Sequence, residues 1–270
     1  MADLISFTED EVFLGPDAPL SFPRTLSARC EGRTVISFDH RSSHRRNLEL
    51  AAALLSSLGT VISVYPYDGC WSNLGVRIEA NPARTHGTGE NPLHVDLVDR
   101  TGMPRYIALY CMRDDVLGGG ASALSDLWAS VGDLTAQDHE VLSQPIFTYW
   151  HDRGVHGVGR SLDRFAILPD SIGPGATIRF TSKMYPHLRQ GGLVEPGRCS
   201  TSTVVRAFGR LNDNVHAMRE TYRLKPRQLL LFDQRRYAHG RMSLGEGQAS
   251  VPHGSRRLLK QAYVAEGAGG

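Results

Sequence analysis

The chain has 270 residues, 41% hydrophobic and 21% charged, with 28 Gly and 14 Pro. A chain of this length buries about three-quarters of its extended surface without help from disulfides or structural metal, and the mix of apolar, charged and turn-forming residues excludes disordered and fibrous classes. Thirty Lys and Arg against 28 Asp and Glu leave a formal charge of +2, too little to draw the chain to a polyanion, so neither nucleic acid nor a membrane surface is an expected partner.

In chain order, residues 1 to about 35 are broken by GPDAP and FPR and read as an irregular arm. From Asn47, NLELAAALLSSLG has helix-forming residues, leucines three or four apart and a terminating Gly. TVISVYPY follows as a strand, then WSNLGVRIEANPARTHGTGENP as mixed strand and polar loop beside a site. HVDLVD, RYIALYCM and ASALSDLW read as successive strands, and TAQDHEVLS as a short helix opening at Thr135. IFTYW, RFAIL, ATIRF and STVVRAF are four further strand candidates, interrupted by GVHGVG and YPHLRQGGLVEPG. LNDNVHAMRETYR, residues 211 to 223, reads as a second helix capped by Asn212 or Asp213. RQLLLFD, the turn-like QRRYAHGR and a final strand RLLKQAYV complete the chain. Many short strands without βα alternation predict a mainly β single domain over residues 1–270, a curved sandwich or barrel with flanking helices.

Cys30, Cys70, Cys111 and Cys199 are far apart with no CxxC and read as reduced thiols. The opening MADLISFTEDEVFLG is acidic, and no run approaches the roughly eighteen apolar residues of a membrane span. A cytoplasmic location is the expectation.

The sharpest chemical feature is His94-Val95-Asp96. On a strand, side chains i and i+2 face the same way, so imidazole and carboxylate project together. Octahedral Fe(II) needs three protein ligands on one face, which two histidines and one carboxylate supply. The third candidate is His239, where LLLFDQRRYAHGR passes from an apolar strand into a polar turn. Both ligand types also suit zinc.

In order and context, NPLHVDLVDR, RYIALYCMRDDVLGGGASALSDL, QLLLFDQRRYAHGR and HGSRRLLKQAYV together resemble the clavaminate synthase-like and taurine dioxygenase-like (TauD/TfdA-like) Fe(II)/2-oxoglutarate oxygenases, over residues 90 to 264. The resemblance implies a double-stranded β-helix, a cupin-like jelly roll, with His94, Asp96 and His239 as catalytic iron ligands. It implies 2-oxoglutarate and O2 as cosubstrates, with Ser122 where relatives carry a Thr that contacts 2-oxoglutarate. Arg257 in GSRRLL is the implied anchor, although Leu258 replaces the Trp of relatives and the preceding loop is longer, so Arg256 stays open. A guanidinium grips a carboxylate through two parallel hydrogen bonds, whereas lysine offers a point charge. Arg241, after the HG pair, is expected to order the site or touch the cosubstrate.

The implied activity is hydroxylation of an unactivated C–H bond coupled to decarboxylation of 2-oxoglutarate to succinate and CO2, with desaturation, cyclisation or epoxidation as variants. The expected substrate is a small polar amino-acid-like molecule, free or carrier-bound, in specialised, antibiotic-type metabolism. Glu90, Asn91 and Asp99 are candidate substrate contacts, and Asp114, Asp115 and Asp163 are further carboxylates able to receive an amine or guanidine. A cupin-like metal-dependent hydrolase or isomerase and a non-enzymatic binding module stand as alternatives. They require, respectively, a retained zinc or manganese with no need for O2, and a triad that does not converge.

Overall fold

The structure is a computed structural model that describes residues 32–64, 69–149, 159–173, 175–195 and 197–266, and the backbone of residues 4–7. Its described strands are β1 (Leu4–Phe7), β2 (Arg33–Phe38), β3 (Thr60–Ile62), β4 (Ser72–Gly75), β5 (Asn91–His94), β6 (Tyr106–Arg113), β7 (Ser122–Asp126), β8 (Arg219–Tyr222), β9 (Gln228–Asp233), β10 (Tyr237–Arg241) and β11 (Leu258–Ala265). A seven-stranded sheet runs β1-β2-β9-β6-β11-β3 with β4 also on β11, and a four-stranded sheet runs β5-β10-β7-β8. Among the described strands only β1 and β2 pair parallel, and the other ladders are antiparallel. This mainly antiparallel architecture with helices outside is consistent with a cupin-like fold.

The clearest predicted helix forms as α1 (His44–Leu58), one turn longer than its leucine pattern because Ser43 caps it by accepting a hydrogen bond from the Arg46 amide. Ala51 and Leu55 bury its inner face against Ile36, Tyr110 and Val264 of the large sheet. α2 (Leu127–Val131) follows β7 directly because Asp126 accepts hydrogen bonds from the Trp128 and Ala129 amides, so ASALSDLW is strand as far as Asp126 and helix from Leu127. α3 (Ala136–Leu142) opens at Thr135 as expected, closed by a reciprocal Thr135–Asp138 capping box. α4 (Tyr185–Arg189) lies within the segment read as a loop.

The largest departure is α5 (Thr201–Ala217). STVVRAF, expected as a strand, is its first half, and the helix expected over 211–223 begins ten residues earlier and ends before β8. Ser200 is the cap, not Asn212 or Asp213. Val204, Ala207, Phe208, Leu211 and Val215 recur at helical spacing and are all buried; each large apolar side chain so buried contributes roughly 1.5–3 kcal/mol, which outweighs the weak strand preference of two adjacent valines. IFTYW and RFAIL contribute only isolated bridges at Phe147 and Phe165, and ATIRF leads to a bridge between Thr181 and His94. Most of the expected N-terminal arm, Cys30, the end of TVISVYPY and most of GVHGVG lie outside the described residues. No helix among the described residues is long and apolar enough to cross a membrane.

Candidate metal centre and its cavity

The small sheet brings two distant histidines into register. In β10, Tyr237–Arg241, His239 pairs with His94 of β5 on one side and Leu124 of β7 on the other. His239 is therefore a strand residue and not, as its sequence context suggested, part of a turn. Between His239 and Arg241 the ladder with β5 shifts by one residue, a bulge at Pro92, which has no amide hydrogen to give a ladder. Gly240 lies beside it: a Cβ there would stand 2.6 Å from the Asn91 carbonyl oxygen, so only glycine permits this approach.

Asp96 does not share a strand with His94. β5 ends at His94, and the chain turns through Leu97, whose φ is +62°. The Val95 amide donates to Phe180 O (2.8 Å) and the Asp96 amide to Gln234 Oε1 (2.9 Å), and it is this turn that swings the carboxylate between the imidazoles. His94 Nε2 lies 3.4 Å from Asp96 Oδ1 and His239 Nε2 lies 3.5 Å from Asp96 Oδ2. The three potential ligand atoms lie within 4.8 Å of one another.

The surrounding groups prepare these atoms as donors. His94 Nδ1 donates to Pro92 O at 2.7 Å, which leaves the Nε2 lone pair facing the cluster. Asp96 Oδ2 accepts from Tyr263 OH at 2.9 Å and Gln261 Nε2 at 3.2 Å. The His239 ring is held by packing, its centroid 4.4 Å from that of His94 and 5.2 Å from Phe232, while its Nδ1 is buried and unpaired among the described residues. Burial alone would raise the Asp96 carboxyl, but the pull of His239 and His94 and the hydrogen bond from Tyr263 outweigh it and hold it well below the usual carboxylate range. Burial pushes the His239 imidazole down to about 3, against the pull of Asp96. At neutral pH, then, His239 is neutral and Asp96 charged, so neither holds a proton that a cation must displace. Two imidazoles and one carboxylate facing a cavity fit a divalent transition metal that keeps open positions.

That cavity, about 540 Å³, is lined from both sheets and includes all three residues. Arg257, Leu259, Gln261 and Tyr263 line it from β11 and the residue before it. Their spacing of two puts Arg256 on the other phase, where its Nε donates to Val251 O. Arg257 is buried yet has no hydrogen bond or ion pair among the described residues. Burial first, then neighbouring Arg241, lowers its guanidinium to about 10. A buried, cavity-facing cation without an acceptor is built for an anion. Ser122 and Arg241 face each other across β7 and β10, and both line the cavity. Arg241 donates to Thr85 O and Gly89 O, so its first task is to pin the loop that follows β4 over the opening.

The remaining candidates divide. Asn91 lines the cavity beside Arg241, with a buried Oδ1 that has no hydrogen-bond partner among the described residues. Glu90 accepts from Arg219 (3.0 Å) and does not line it. Asp99 is buried beside Arg179, also away from it. Asp114 pairs with Lys225, and Asp115 accepts from the Leu117, Gly119 and Gly245 amides and the Gln248 side chain, so both are committed elsewhere. Residues that sequence reading missed are Gln234, Gln261 and Tyr263 around Asp96, Arg77 and Arg84 at the opening, and Lys183. The alternation in RLLKQAYV was the available signal for Gln261 and Tyr263; nothing local marked Gln234.

No family model matches the chain, and no curated protein matches it by sequence. Solved structures do match by shape. An asparagine oxygenase in complex with Fe(II), 2S,3S-3-hydroxyasparagine and succinate gives a TM-score of 0.70 at 14% identity, covering 97% of this chain and 93% of its own. The non-heme iron oxygenase OrfP with Fe and alpha-ketoglutaric acid gives 0.70 at 18% identity, covering 98% and 94%. OrfP with Fe, succinate and (3S)-hydroxy-L-Arg gives 0.70 at 16% identity, covering 97% and 94%. The chain thus has the fold of these iron oxygenases over nearly its whole length.

Proposed function

We propose that the chain is a single-domain Fe(II)/2-oxoglutarate-dependent oxygenase of the clavaminate synthase-like, TauD/TfdA-like group, built on a double-stranded β-helix, that hydroxylates a small amino-acid-like substrate. The observation that carries this is the His94, Asp96 and His239 cluster opening onto the same cavity as the unpartnered guanidinium of Arg257. The fold match supports it, and the structural neighbours named above hold iron with alpha-ketoglutaric acid or succinate and hydroxylated amino acids.

Ferrous iron with 2-oxoglutarate, when bound, supplies O2 activation coupled to decarboxylation to succinate and CO2. His94, Asp96 and His239 hold the metal, and Tyr263 and Gln261 keep the Asp96 carboxylate turned toward it. Arg257 grips the distal carboxylate of 2-oxoglutarate, with the Ser122 hydroxyl beside it. Arg241 keeps the loop after β4 over the opening, which limits water and leaves Asn91 to meet substrate. The intact carboxylate ligand Asp96 favours hydroxylation over halogenation.

The test is succinate formation from 2-oxoglutarate by protein supplied with Fe(II) in air, compared with omission of iron or O2 and with His94→Ala. Succinate that needs both additions and His94 is the expected result. Hydrolytic activity with zinc in the absence of O2 would instead favour the hydrolase alternative.

A further inference from the structure

The charge of the cavity points to the substrate that fits it, a deepening that rests on the oxygenase reading above. Among the described residues its charged lining is four arginines, Arg77, Arg84, Arg241 and Arg257, against one carboxylate, Asp96. A divalent metal and dianionic 2-oxoglutarate cancel each other's charge, so the three surplus positive charges stay for the substrate to meet. Arg241 and Arg257 are committed to the loop carbonyls and to the cosubstrate. Arg77 and Arg84 are not: both lie on the loop pinned at the opening, and neither has a hydrogen-bonded or ion-paired partner among the described residues.

Lys183 lies near the centre but is not part of the cavity lining. Lys183 follows Thr181, which bridges to His94, and is close enough to the centre for Asp96 to act on its ammonium, with Arg84 near it as well. Its ammonium also has no partner among the described residues. Lys183 is partly buried, and burial lowers it to about 8. The carboxylates named above as able to receive an amine or guanidine, Asp99, Asp114, Asp115 and Asp163, all lie outside the lining, as does Glu90.

We propose that the substrate is a net-anionic, amino-acid-like molecule whose acidic group, a carboxylate or a phosphate, is received by Arg84 and Arg77 of the cavity lining. Guanidinium and ammonium donors make charge-assisted hydrogen bonds to either acid. A cationic side chain in the same place meets like charge and no carboxylate among the described residues, so exclusion comes from the same residues as recognition.

The test is ligand binding to anaerobic protein loaded with Fe(II) and 2-oxoglutarate, using matched sets: aspartate with asparagine, glutamate with glutamine, O-phosphoserine with serine, and arginine and lysine as cations. Each acid is expected to bind about ten-fold more tightly than its neutral partner, with the cations weakest. Preference for aspartate and glutamate over O-phosphoserine assigns a carboxylate, the reverse a phosphate. Arg84→Gln and Arg77→Gln are each expected to erase most of the acid's advantage over its neutral partner, with the unfolding temperature checking the fold. Equal or undetectable binding across the panel, tighter binding of arginine or lysine, or variants that keep the preference would overturn the proposal. The visible charge-transfer absorption of the 2-oxoglutarate complex separates two failures. If it forms and anions are not preferred, only this inference falls; if it does not form, the oxygenase reading falls with it.

Discussion

Tyr263 donates its phenolic hydrogen bond to Asp96 Oδ2 across 2.9 Å, from the last strand of the chain to the turn that follows β5. Gln261, two residues earlier on the same strand face, binds the same oxygen. A carboxylate ligand fixed from behind is presented in one orientation, and loss of such an outer partner typically costs about 10–100-fold in metal affinity or activity. Tyr263→Phe is therefore expected to weaken Fe(II) or Co(II) binding by about ten-fold, while the remaining ring packing keeps the loss of stability near 1 kcal/mol. A metal titration with parallel thermal unfolding checks both, and undiminished metal affinity would show that Gln261 alone positions Asp96.

The two adjacent arginines separate cleanly. Arg257 is buried on the cavity phase of the strand, whereas Arg256 turns back to Val251 O. Truncating one partner of a buried charge pair costs about 2–5 kcal/mol, so Arg257→Ala is expected to raise the KM for 2-oxoglutarate by about a hundred-fold or more. Arg256→Ala is expected to leave it within about two-fold, since it makes no ligand contact. Saturation curves for succinate release decide between them, and equal effects would mean that the assignment of phase is wrong.

The metal-free protein has a pH dependence of defined sign. Burial keeps His239 unprotonated down to about 3, against an ordinary value of 6.5, so between these values the unfolded chain holds the extra proton and stability falls as pH falls. Asp96, held below the usual carboxylate range, adds a loss of the same sign at more acidic pH. The His239 contribution approaches at most about 1.4 kcal/mol per pH unit below its ordinary value. Urea unfolding of chelator-treated protein from pH 8 to 5 measures it, with His239→Gln expected to flatten the profile. A variant as steep as the parent would assign the dependence to other groups.

Gly240 is predicted to be irreplaceable. A Cβ at this position would collide with the Asn91 carbonyl, and relieving it means parting β10 from β5, which carry His239 and His94. Gly240→Ala is expected to cost about 1–3 kcal/mol through overpacking and to lower metal affinity as well. Measured by thermal unfolding and metal titration, a destabilised protein with parental metal affinity would mean that the strands yield elsewhere.

Much of this site was legible before its geometry. His94, Asp96, His239, Ser122, Arg241 and Arg257 all line one cavity; the family resemblance implies this set, whereas the alternation of a shared strand does not account for His94 and Asp96. The mode of convergence was less legible. HVDLVD reads as a strand, but a backbone hydrogen bond from Val95 to Phe180 and the side chain of Gln234, both distant in sequence, end it at His94. In STVVRAF, β-branched residues suggest a strand, and only burial on the face that continues through Leu211 and Val215 makes it helical. Asp99 and Glu90 illustrate a third limit, since proximity to a motif along the chain does not put a side chain into its cavity.

The central claim is that His94, Asp96 and His239 hold ferrous iron while Arg257 holds 2-oxoglutarate against it. The most direct measurement adds Fe(II) and then 2-oxoglutarate to metal-free protein without oxygen and records the visible spectrum. A weak charge-transfer absorption that appears only with both additions, and is lost in His239→Ala and Arg257→Ala, is the predicted result. A folded protein that gives no such absorption, or that retains zinc and ignores 2-oxoglutarate, would contradict it.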